Sequence, residues 1–206
     1  EVYLDNTDTS KNHYTIIYPP NLPWKGYMFL IPGLGQTAEN VLQQTELPKK
    51  LALNGILTII PTFQDGELSF GVDSLSQQSF NRILIDVTSK HKLIDQRFYV
   101  GGFSIGGSCA VKYAENPTIK PTAIFAIDPP LDFERVYNSS KREIRLSVNK
   151  SPDEERVYTI EKLEKEMGGS PKTALKNYYK ISPYSFNDTT QTAIKNIIKL
   201  PLRIYS

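Results

Sequence analysis

The 206 residues carry 24 Lys and Arg against 22 Asp and Glu, a formal charge of +2. The basic positions are scattered among acids, so no electrostatic case for nucleic acid or an anionic membrane surface follows. With 39% hydrophobic and 22% charged residues the chain has a globular composition, enough for one good core and near the size at which a second domain is expected.

Two segments of β-branched and aromatic character open the chain, "EVYLD" and "HYTIIYP", separated by polar turn residues. They predict an antiparallel pair. Residues 26–33, "GYMFLIPG", form a continuous apolar run typical of a strand covered on both faces. A polar, helix-capable segment follows over 37–53, with Pro48 in the first turn of its second part, where proline is tolerated. "GILTIIP" at 55–61 is a second buried-strand run. Phe80, Ile83, Leu84 and Val87 then place one apolar stripe at helical spacing over 74–91. "RFYVGG" predicts a strand, 106–114 a helix, and "PTAIFAID" at 121–128 another strand. This repeated alternation predicts an α/β fold with a mostly parallel central sheet and helices on both faces.

After Asp128 the pattern changes, and no strand run occurs over 129–187. Ser151-Pro152-Asp153-Glu154 carries the signals of a helix start. Val157, Ile160, Leu163 and Met167 give that helix one apolar stripe, Gly168-Gly169 end it, and Ser170-Pro171 open the next. The expected organisation is a core over 1–128, a helical insertion over 129–187 and a return to the core over 188–206. The insertion is large enough to cover the sheet's carboxyl edge, or it packs on the flank. "TAIKNIIKL" predicts a last helix and "LPLRIYS" a last strand.

The chemistry centres on "RFYVGGFSIGGSCAVKYA". Gly102-Phe103-Ser104-Ile105-Gly106 fits G-x-S-x-G with a strand before it and a helix after it. Such a serine sits on a turn so sharp that side chains two residues before and after would clash, which glycine avoids. The helix behind the turn aims backbone N–H groups at the reaction centre. A phosphate-binding loop would add a lysine near the turn, and none is present. The earlier run ends in "LIPGLGQT", where an elbow of this kind draws a second N–H donor from the loop after a strand.

On these motifs the chain resembles the α/β-hydrolase family, from Val2 to Ser206. The resemblance implies a serine hydrolase, esterase-like, that forms an acyl-enzyme at Ser104 on a small-molecule acyl substrate and needs no metal or cofactor. It also implies an oxyanion hole made by the backbone N–H groups of Leu34 and Ile105. Pro32 stands where relatives carry a histidine that supports this loop. Cys109, in the helix behind the elbow, is expected to be a small buried hydrophobe.

Relatives order the triad Ser, then acid, then His, and here that order breaks down. His91 is expected at the sheet's amino edge, ~16–20 Å from Ser104 at ~3.3 Å per strand residue. His13 begins the antiparallel strand at the correct edge, but three strand places away, ~14 Å, and is expected to be exposed. Asp128, at the end of the sixth strand, is the only internal candidate for the acid; opening the helical insertion is the simpler role. The expectation is therefore a chain cut at both ends, with the catalytic acid and histidine beyond Ser206. A hydrolase fold reused as a binding module and a serine peptidase are the alternatives.

Overall fold

The computed structural model describes residues 1–5, 7–147 and 154–206. They divide into two compact units, Glu1–Pro129 with Asn196–Ser206, and Pro130–Lys195.

The first unit is built on one seven-stranded sheet. β1 (Val2–Tyr3) and β2 (His13–Ile17) pair antiparallel, as expected. β3 (Gly26–Ile31), β4 (Ile56–Thr62), β5 (Phe98–Phe103), β6 (Ala123–Ile127) and β7 (Leu202–Tyr205) run parallel. The order across the sheet is β1-β2-β4-β3-β5-β6-β7.

Alternation along β3 divides the core in two. Tyr27 and Phe29 face one side, where Phe29 stacks on Phe80 at 5.1 Å between ring centroids and Phe80 on Tyr113 at 4.2 Å. Those partners come from α3 (Ser74–His91) and α4 (Ile105–Glu115). Met28 and Leu30 face the other side and cluster with Val41 and Ile60, with Ala38, Leu47 and Leu51 packed against them. This second cover is α1 (Ala38–Gln44) and α2 (Leu47–Leu53), with Pro48 in the first turn of α2. Side chains alternate across a strand, so helices on both faces bury the whole of β3.

α3 starts on Asp73, whose side chain accepts from the N–H groups of Leu75 and Ser76. Its predicted stripe of Phe80, Ile83, Leu84 and Val87 is fully buried. The helix predicted over "TAIKNIIKL" is shorter than expected. Only one turn forms, α8 (Thr192–Lys195), which belongs to the second unit; in the first unit Leu200 N–H donates to Ile197 O, closing a tight turn before Pro201 leads into β7.

The second unit is helical. α5 (Phe133–Leu146), which the sequence reading missed, buries Phe133, Tyr137 and Ser140. Its cap is Asp132, which accepts from the N–H groups of Arg135 and Phe186. α6 (Glu154–Met167) buries Ile160, Leu163 and Met167 of its predicted stripe and ends at Gly168 and Gly169, with φ +78° and +139°. The start signal at Ser151-Pro152-Asp153 lies outside the described residues. α7 (Pro171–Ile181) begins after Ser170 as predicted. Among the described residues, no helix is long and apolar enough to cross a membrane.

Candidate active site

Ser104 caps α4 with φ 48° and ψ −123°, and its residue is exposed. Its side chain makes no capping bond to the helix. The turn is held by the backbone: Ser104 N–H donates to Ile127 O at 2.8 Å, and Gly107 N–H donates to Ser104 O at 2.9 Å. A β-carbon on Gly102 would lie 2.3 Å from the carbonyl carbon of Gly106. One on Gly106 would lie 2.3 Å from Pro32 O and 2.4 Å from Ile31 O. Both distances are far inside van der Waals contact and both neighbours are backbone, so glycine is required at each position. The spacing predicts a clash at Gly106, and the obstacle is the end of β3. The start of α4 lies directly on the end of β3, and this close approach brings the Pro32–Gln36 loop against the elbow.

The two N–H groups singled out from the sequence are those of Leu34, in that loop, and Ile105, the first residue of α4. Neither has an acceptor among the described residues. For Ile105 this follows from its position, since the first N–H groups of a helix have no intrahelical partner. A cleft beside them is lined by Gly33, Gln36, Glu67, Phe70, Ile105 and Cys109. Cys109 is fully buried, with burial pushing its thiol up and Gln77 Nε2 donating to Sγ at 3.6 Å.

The sheet register settles the neighbours of Ser104. Phe103 pairs with Ile127 across β5 and β6, so Asp128 stands next to Ser104, one strand spacing away. Asp128 also has positive φ, 49°, and its N–H donates to Tyr205 O at 2.6 Å. Its side chain is exposed and no hydrogen bond joins it to Ser104.

Neither histidine is near. His13 pairs with Thr62 at the carboxyl end of β4, and β2 is three places from β5 in the sheet, a gap of ~14 Å at ~4.8 Å per place. Contrary to expectation it is half-buried: its ring lies 5.3 Å from that of Tyr3, and Nδ1 is buried without a hydrogen-bond partner. His91 ends α3 and packs against Tyr18 and Trp24, with ring centroids at 5.7 and 5.9 Å. Burial holds both imidazoles below the ordinary histidine range, with Lys90 adding to the effect at His91 and Glu1 and Glu67 opposing it at His13. Among the described residues, no group of three or more His, Cys, Asp and Glu is placed to hold a metal ion.

No protein-family model and no curated protein matches the sequence. Solved structures do match in fold. An S-formylglutathione hydrolase from Agrobacterium tumefaciens aligns over 93% of this chain and 78% of its own, with TM-score 0.57 and 16% identity. The acylaminoacyl peptidase of Pyrococcus horikoshii aligns over 94% of this chain and 34% of its own, with TM-score 0.57 and 13% identity. The chain has the α/β-hydrolase fold. In this chain β5 leads into the turn at Ser104 and α4 follows it. The chain spans about half the length of several matched hydrolases, among them 51% of a carboxyl esterase from Bacillus coagulans that aligns over 76% of this chain at TM-score 0.49 and 15% identity.

Proposed function

We propose that this α/β-hydrolase-fold chain is part of a serine hydrolase acting on a carboxylic ester or related acyl substrate. Ser104 Oγ attacks the acyl carbon, and the N–H groups of Leu34 and Ile105 hold the oxyanion. Collapse of the tetrahedral intermediate expels the alcohol, which leaves with a proton, and water then hydrolyses the acyl-enzyme. The chemistry requires no metal. Neither histidine of the chain is placed to serve as the general base of this reading, since both are remote from Ser104.

The observation that carries the reading is the conformation of Ser104. A non-glycine residue at φ 48°, ψ −123° between two obligatory glycines is strain retained at a cost of ~1–3 kcal/mol. A plain strand-to-helix connection has no need of it. The remoteness of both histidines favours a second reading, a hydrolase fold used for binding alone. A fluorophosphonate probe on the full-length protein separates the two. The expected outcome is one adduct, located at Ser104 by peptide mass spectrometry and abolished in Ser104→Ala. A folded protein with no adduct there is the binding module. Rates on matched ester and amide substrates distinguish esterase from peptidase.

A further inference from the structure

The loop after β3 has few backbone donors, and each can be accounted for. Pro32 has no N–H. Gly33 N–H donates to the side-chain oxygen Oε1 of Gln36 at 2.9 Å. Gly35 N–H donates to Glu67 O at 2.9 Å, and Gln36 N–H donates back to Gly33 O at 3.2 Å. From Pro32 to Gln36, only Leu34 N–H has no acceptor among the described residues.

Gln36 therefore grips Gly33 at both ends, its side chain on the N–H and its backbone N–H on the carbonyl. The second contact sets the direction of Leu34 N–H. That N–H shares a peptide plane with Gly33 C=O and, in a trans peptide, points the opposite way. With the carbonyl turned toward Gln36, Leu34 N–H is turned away from it. Glycines on both sides of Leu34 would otherwise leave this plane free to rotate. The Gln36 amide is fixed in turn at its far end, where Nε2 donates to Gln44 Oε1 on α1 at 2.9 Å. A backbone N–H can only donate, so the atom facing Gly33 must be the amide oxygen, and Nε2 faces Gln44.

We infer that Gln36 is the positioning residue of the oxyanion hole: its side chain, held on Gly33 N–H, removes that donor from competition and locks the turn in which Gly33 C=O accepts from the backbone of residue 36 and Leu34 N–H is left for the reacting carbonyl. The inference rests on Ser104 being the nucleophile. Gln36 acts through Gly33 and Leu34.

The test is the inactivation kinetics of the full-length protein with a fluorophosphonate, whose phosphoryl oxygen occupies the oxyanion position. In Gln36→Met, which keeps length and removes the acceptor, the maximal inactivation rate is expected to fall roughly 10- to 100-fold, the range for a misplaced catalytic group, while the inhibition constant stays unchanged. Gln36→Glu keeps an oxygen for Gly33 and should recover the rate to within a few-fold. Amide hydrogen exchange at Gly33 should accelerate in the Met variant and not in the Glu variant. A wild-type rate in Gln36→Met, or equal losses in both variants, overturns the inference while leaving Ser104 as nucleophile. Failure of the wild-type protein to react at Ser104 removes the nucleophile and the inference together, and it is seen before any variant is compared. Should Gln36→Met not fold, Gln44→Met on the exposed surface takes its place. A several-fold fall in rate at unchanged inhibition constant is then expected, and no fall overturns the proposal.

Discussion

A single residue, Ser104, carries the strained point of the molecule. Its positive φ persists because the neighbours over-determine it: Ile127 accepts its N–H, and Gly107 and Ser108 both donate to its carbonyl. Glycine adopts such a conformation without a steric penalty and alanine does not. Ser104→Gly is therefore expected to be more stable than Ser104→Ala by about 1 kcal/mol, part of the strain such a position stores. Urea unfolding of the two variants measures the difference, and an alanine variant equal to or more stable than the glycine variant contradicts it. The sharp turn at this residue was legible because a strand signal precedes and a helix signal follows the G-x-S-x-G spacing, which alone is weak. The sequence could not announce Gln36. The bond from that side chain to Gly33 depends on a loop conformation, and a glutamine three residues beyond an apolar run carries no periodic or motif signal.

Among the elements, the junction of β3 with α4 matters most. Ile31 and Pro32 are distant from Gly106 in the chain, yet their carbonyls occupy the space a side chain there would need. Gly106→Ala must push α4 and the β3 loop apart, with an overpacking cost of about 1–3 kcal/mol. Urea unfolding should show that loss, and a variant as stable as wild type would mean the two elements yield easily. Elements with a wide apolar signal were legible: β3 and β4 as unbroken runs, α3 from its stripe. α5 was not, because only Phe133, Tyr137 and Ser140 face inward on a helix otherwise rich in charge. The segment around α8 misled in the opposite sense. Ile194 and Ile197 have helical spacing, but Pro201 and the turn at Leu200 take the chain into β7 within a few residues.

For the molecule as a whole, Glu115 makes one identifiable contribution to the pH response of stability. Glu115, at the end of α4, is paired with Lys112 at 2.8 Å, yet its Oε1 is buried with no partner. Burial outweighs the lysine and pushes the carboxyl from its ordinary 4.5 up to about 7. A group whose folded value is raised keeps its proton more tightly in the native state, so the stability it contributes is complete below 4.5 and lost as pH rises toward 7. Unfolding free energies at pH 5 and pH 7.5 should therefore show wild type losing stability relative to Glu115→Gln. An unchanged difference between the two proteins would refute the assignment. The alternation of strands and helices was enough to read a parallel sheet. It did not dictate the order β1-β2-β4-β3-β5-β6-β7, which depends on which apolar faces meet across the core.

That ladder also works as a ruler. Ser104 and Asp128 owe their adjacency to the count of paired residues between Tyr99↔Ala123 and Phe103↔Ile127, not to the connections that join the strands. Surface connections can therefore lengthen or shrink at small cost and leave the hydroxyl at the same height on the sheet. One residue gained or lost inside β5 would turn every side chain after it to the opposite face. Drift in this chain is tolerated around the rim and forbidden along the rungs.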